Sequence, residues 1–152
     1  VFEEVRVDEL DVKILAVLGD DARMSYREVA EQLGVASGTV YNRVSKMVAN
    51  GVIKGYIPLV DHGKLGYSLM ALILVQVEGK RLVDVEEELA SSKDVLAVYD
   101  ITGEFDVAVI ARFKTQKSMN DFIKKTLKIP AITRTVTNVV LNVVKEDPRI
   151  RV

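Results

Sequence analysis

Asn42 and Arg43 can each make paired hydrogen bonds to a base edge, while Thr39, Ser45 and Lys46 beside them can reach phosphates. They come together if SGTVYNRVSKMVAN is helical. Val40, Val44, Met47 and Val48 then recur at i, i+4, i+7 and i+8 as an inward stripe. Steps of about 100° place Gly38, Thr39, Asn42, Ser45 and Lys46 opposite that stripe, with Tyr41 and Arg43 on its flanks. From Gln32 to Gly55 the only ionisable side chains besides tyrosine are Arg43, Lys46 and Lys54, so no acid interrupts the surface. The chemistry offered is the reading of a nucleic-acid groove. An ordinary helical hairpin with a solvated outer face fits the same pattern.

Other elements must hold this helix in place. Tyr26, Val29, Ala30 and Leu33 share one face of a preceding helix, Ser25 and Glu28 have the spacing of a capping box, and Gly34 can end it in the left-handed conformation. After that turn, Ser37 or Thr39 can cap the next helix. A third helix is expected over Asp8 to Gly19, where Leu10, Ile14 and Leu18 repeat with Leu15 beside them, and a polar connection of Asp20, Asp21 and Arg23 follows. The unit is complete by about Asn50. Gly51 to Pro58 then turns β-prone between glycine and proline, which predicts a short extended arm whose Lys54 to Tyr56 segment acts as a wing near the nucleic-acid backbone.

The second half predicts strands at Ser68–Glu78, Val95–Ile101, Asp106–Phe113 and Thr133–Val144, with helices at Leu82–Ser91 and Ser118–Leu127. This β-α-β-β-α-β order is that of a ferredoxin-like sandwich and makes the chain α+β. Stripes of Leu82, Val85 and Leu89, and of Met119, Phe122, Ile123 and Leu127, let both helices cover one sheet face. SLMALILVQV does not alternate as a half-exposed strand should, and Val136, Val140 and Val144 form a second apolar row beside Val139, Leu141 and Val143. A second copy of the sheet is the simplest cover, so a homodimer is expected. Such a dimer would set two recognition helices on one duplex, and few cations per subunit would suffice.

The hairpin Asp100-Ile-Thr-Gly-Glu-Phe-Asp106 is this half's one candidate small-molecule site. Gly103 leaves backbone N–H groups accessible to a carboxylate, and Asp100, Glu104 and Asp106 can meet an ammonium group. A free amino acid carries both. On chemistry alone, a soluble turn made of glycine and acids is the preferred reading.

Composition narrows the classes. The chain has 152 residues, 49% of them hydrophobic, with a formal net charge of −1, which suits one or two packed domains and argues against a strongly basic packaging protein. The longest apolar run, Leu69 to Val77, contains Gln76 and is too short to span a bilayer as a helix. With no secretion-signal pattern at the start, a soluble cytoplasmic protein is expected. Zero cysteines exclude disulfides and thiolate metal sites. His62 is the single histidine and lies in a glycine-flanked connector, so neither a metal site nor a catalytic triad is expected.

The first helix, SYREVAEQLGVASGTVYNRV and NGVIKGY together resemble the DNA-binding domain of the leucine-responsive/AsnC transcription regulators, the feast/famine regulatory proteins. Asp61-His-Gly-Lys-Leu-Gly-Tyr67 is similar to that family's connector, and Tyr99 to Asp106 to the hairpin of its amino-acid-sensing domain. The resemblance implies a helix-turn-helix domain over 1–52, a β-linker over 53–67, and an oligomerising RAM/ACT-like sensor domain over 68–152. It implies double-stranded DNA as partner, contacted from Ser37, Gly38, Thr39, Tyr41, Asn42, Arg43, Ser45, Lys46 and Lys54. It implies a free amino acid as effector, held between subunits by Asp100, Thr102, Gly103, Glu104 and Asp106, with Thr133 and Thr135 as further candidates from the neighbouring subunit. Dimers assembling into closed rings, commonly octamers, are implied too, with no catalysis and no other cofactor. Siroheme decarboxylases look like these regulators in fold, but a lone His62 beside an acid-free recognition helix weighs against that chemistry.

Overall fold

Two aspartates launch the fold. The Asp8 carboxylate accepts the Asp11 N–H and the Asp11 carboxylate accepts the Asp8 N–H, a reciprocal cap that starts α1 (Glu9–Asp20). The computed structural model describes residues 6–151. Ser25 and Glu28 start α2 (Tyr26–Leu33) in the same way, and Gly34 ends it at φ +68°. Helix α3 (Ser37–Ala49) departs from expectation at its start. Its N-cap is Ala36, because Ser37 and Thr39 already lie inside the first turn, and no side chain caps it. Ile14, Val29, Val40 and Val44 are fully buried where the three helices meet, with Leu18, Ala30 and Met47 around them. Val48 does not join them and is 48% exposed. Eight residues beyond Val40 a helix has turned about 80° away from it, which carries Val48 to the margin of the stripe.

The sheet is antiparallel and ordered β2-β3-β1-β4, from β1 (Leu69–Val77), β2 (Val95–Asp100), β3 (Val107–Phe113) and β4 (Ile132–Val139). Helices α4 (Leu82–Ala90) and α5 (Gln116–Thr126) cover one face, packing Val85, Leu89 and Met119 on Ile73, Val75, Val109 and Phe113. This is the expected sandwich. Leu127 falls just past the end of α5 and is exposed. On the other face, Leu72 sits between Ile110 and Asn138, and Leu74 between Ala108 and Val136. Strand β4 stops earlier than expected. Val140 N–H makes a final bond to Met70 O at the start of β1, and beyond it Leu141 and Val144 are 97% and 90% exposed.

The chain divides into two compact units, one running through Leu59 and including the segment from Lys145, the other Val60–Val144. The expected 68–152 domain therefore loses its last residues to the helical unit. Arg149 and Arg151 reach Asp20 at the end of α1 at 3.1 and 3.5 Å, and both also pair with Asp147. The expected β-linker holds no strand among the described residues, because nothing supplies a ladder for it. It bends at Ile53, whose N–H donates to Met47 O at 3.1 Å, has no regular secondary structure over residues 54–61, and enters a turn over residues 62–66.

Candidate nucleic-acid interface and effector hairpin

Helix α3 presents Ser37, Gly38, Asn42, Ser45 and Lys46 to solvent, with Thr39 half-buried at their edge. No side chain caps the helix, so the N–H groups of its first turn at Ser37 and Gly38 have no side-chain acceptor at the end of this row. Tyr41 is 59% exposed and packs edge-on against Tyr26 of α2, ring centroids 6.1 Å apart. The hydroxyl of Tyr56 is pushed above the ordinary phenol range by burial first and by Tyr26 second. Lys54 is exposed and lines a cleft of about 300 Å³ with Leu15, Leu18, Tyr56 and Ile150.

Arg43 is the exception. Its Nη1 donates to the Asp8 carboxylate and, at 3.2 Å, to that of Asp11, so the side chain lies along α1 instead of standing out with Asn42. Asp11 is buried, with 6% of its surface exposed. Asp8 is held below the usual carboxylate range, chiefly by the hydrogen bond from Arg43. These acids lie more than 30 residues upstream of Arg43, outside the acid-free stretch from Gln32 to Gly55. The signal available was an Asp-x-x-Asp pair at the start of a helix whose second member points inward with Ile14 and Leu18.

In the sheet unit, the hairpin joining β2 to β3 closes with Ile101 N–H on Asp106 O at 2.8 Å, and Gly103 turns it at φ +120°. Asp106 is committed to the fold. Its carboxylate accepts Val77 N–H at 2.7 Å, where β1 bulges, and its own N–H donates to Val75 O. Glu104 pairs with Arg134 of β4 at 2.7 Å, and the guanidinium also lies 5.2 Å from the centre of the Phe105 ring. Thr133 donates to Gln76 O at 3.3 Å. The structure thus gathers Glu104, Asp106, Thr133 and Arg134 at one end of β1, while Asp100 and Thr102 are exposed on the hairpin. Thr135 is opposite Val75 on the helix-covered face, away from Arg134, which shares the open face with Gln76. Arg134, between Thr133 and Thr135 in the chain, carries no local pattern that marks it for this cluster.

Among the described residues, no group of three or more His, Cys, Asp or Glu side chains could hold a metal ion, and no helix is long and apolar enough to cross a membrane.

Residues 70–150 match a family model described as the Lrp/AsnC ligand binding domain, and residues 7–54 match one described as winged helix-turn-helix DNA-binding. An uncharacterized HTH-type transcriptional regulator of Pyrococcus abyssi is 46% identical, covering 95% of this chain and 98% of its own. The HTH-type transcriptional regulator FL11 of Pyrococcus horikoshii is 35% identical, covering 93% of this chain and 94% of its own. The structure of E. coli AsnC superposes with a TM-score of 0.82 at 30% identity, covering 97% of each chain. A Neisseria meningitidis transcriptional regulator in complex with L-Met shares the fold, with a TM-score of 0.88 at 21% identity over 96% of this chain and 97% of its own.

Proposed function

The chain belongs to the Lrp/AsnC family of transcriptional regulators, and on that premise we propose that it binds DNA sequence-specifically in response to a free amino acid. The observation that carries this reading is the outer row of α3, where Asn42, Ser45 and Lys46 are exposed and no acid lies among them. Asn42 reads a base edge in the major groove, Thr39, Ser45 and Lys46 hold phosphates, and the uncapped N–H groups of Ser37 and Gly38 meet a further phosphate. Tyr41 and Lys54 contact the flanking backbone. Arg43 does not read a base, since two carboxylates already hold it.

The effector binds at the hairpin. Its carboxylate takes N–H groups around Gly103 and its ammonium group takes Asp100 or Glu104, with Thr102 and Thr133 at the margin. Asp106 supports the hairpin from within, and Thr135, on the covered face, is left out of the contact set. The L-Met complex of a fold relative supports an amino acid as the ligand class. The protein catalyses no reaction, needs no other cofactor and works in the cytoplasm, where DNA and free amino acids meet.

The open sheet face of Met70, Leu72, Leu74, Ile110 and Val136 is covered by the same face of a second copy. Dimers assemble further, to octamers in the family's manner. The effector shifts DNA affinity only as far as it binds the two assembly states unequally.

Selection of bound fragments from random-sequence duplex DNA, with and without a mixture of the common amino acids, tests the reading. An enriched palindrome whose recovery changes with amino acids supports it. No enrichment in either condition overturns it.

A further inference from the structure

The four carboxylate oxygens at the start of α1 are shared out between two tasks. Asp8 Oδ1 accepts Asp11 N–H at 3.0 Å and Asp11 Oδ2 accepts Asp8 N–H at 3.0 Å. The remaining oxygens, Asp8 Oδ2 and Asp11 Oδ1, both receive Arg43 Nη1. The helix cap and the tie to the recognition helix are therefore one assembly. Asp11 is more than nine-tenths buried, and a buried carboxylate is stable only while it stays paired. Withdrawing Arg43 to meet a DNA phosphate would strand that charge inside the three-helix core.

Arg43 also adjoins Asn42 on α3. Neighbouring residues on a helix are fixed about 100° apart, so anchoring one side chain to α1 fixes the direction of the other. We infer that Arg43 is a positioning residue, which sets the roll of α3 from Asp8 and Asp11 and so aims Asn42, without itself contacting DNA. This rests on the proposal that α3 reads DNA.

The test compares full chains carrying Arg43→Gln, Arg43→Lys, Asp11→Asn, the double Asp11→Asn/Arg43→Gln, and Lys46→Gln. Affinity is measured for a duplex enriched by selection and for random duplex, across a salt series. Arg43→Gln and Asp11→Asn should each lower the preference for the enriched duplex by about tenfold. The double variant should lose no more than either single one. None of these should change the salt slope on random duplex, whereas Lys46→Gln lowers it by about one. Arg43→Lys should keep part of the preference, again at unchanged slope. If Arg43→Gln lowers the slope as Lys46→Gln does and Arg43→Lys restores it, while Asp11→Asn keeps the preference, Arg43 is a phosphate contact and the inference is overturned. Relaxed choice at a single base pair in Arg43→Gln, with Asp11→Asn unaffected, makes it a base reader and overturns the inference equally.

Amide exchange on the free protein separates this from the DNA reading. Faster exchange across α3 in Arg43→Gln and Asp11→Asn, no faster in the double, supports the anchor even if the wild type prefers no duplex, a result that would count against operator recognition alone. Wild-type protection of α3 in Arg43→Gln overturns the anchor whatever the DNA result.

Discussion

Asp11 of α1 and Arg43 of α3, 32 residues apart in the chain, meet at 3.2 Å, with Asp8 closing the same ion pair from the helix N-cap. The contact joins the helix that supports the recognition element to the recognition element itself. It explains how an arginine expected on the flank of the DNA-facing row comes to be half-buried.

Acid should loosen this joint. The Asp8 carboxyl lies below its ordinary range, first through the Arg43 hydrogen bond and second through the Asp11 N–H. A carboxyl depressed on folding contributes its full stability above the unfolded pKa, about 3.9, and loses it as pH falls through the lower folded value. Asp8→Asn should therefore narrow the stability difference between neutral pH and the region below about pH 4, measured by amide exchange in α1 and α3. Glu28 and Asp147 are depressed as well, so the readout is the difference between variant and wild type. Identical acid responses would contradict the link.

Gly34 is a second joint. At φ +68° it turns α2 toward α3, and a Cβ there would meet nothing within 4 Å. Gly34→Ala should thus cost backbone conformation alone, about 1–2 kcal/mol, with Gly34→Asn costing less. Chemical denaturation measures both. A loss well beyond that range would mean an unseen packing role.

Ile110 lies mid-sheet on the face opposite the helices, in register with Leu72 and Ala97. Ile110→Asp should convert the proposed oligomer into a monomer with the same far-ultraviolet circular dichroism, seen by sedimentation at micromolar concentration. A stable wild-type monomer under those conditions would refute the proposed pairing of sheets.

Glu104 and Asp106 should separate by function. Glu104→Gln is expected to weaken amino-acid binding about tenfold, the scale of one charge-assisted contact, and to leave the melting temperature nearly unchanged. Asp106→Ala removes the acceptor of Val77 N–H and should lower the melting temperature of the sheet unit itself. Calorimetric titration with scanning calorimetry on both variants tests the division. Equal melting behaviour would contradict it.

Much of this molecule was legible in periodicity and punctuation. Ser25, Glu28 and Gly34 bracket α2 through local backbone chemistry, and Ile14, Val29, Val40 and Val44 fall on faces that a 3.6-residue repeat brings together. Leu127 and the end of β4 are exposed because each lies where a periodic pattern outlasts the element that carries it, and Val48 because it lies about 80° round the helix from Val40. For the candidate sites, side-chain types were legible and their partners were not. Arg43 with Asp11 and Glu104 with Arg134 are matched between separate elements, and no local spacing reveals a partner brought in by tertiary structure.

The most direct measurement is fluorescence anisotropy of an enriched duplex and a scrambled duplex of equal length, titrated with wild-type protein as each common amino acid is added. The account predicts tighter binding of the enriched duplex, by about a thousandfold or more over random sequence, and a shift in that affinity with at least one amino acid. Equal affinity for the two duplexes, unmoved by every amino acid, would contradict it.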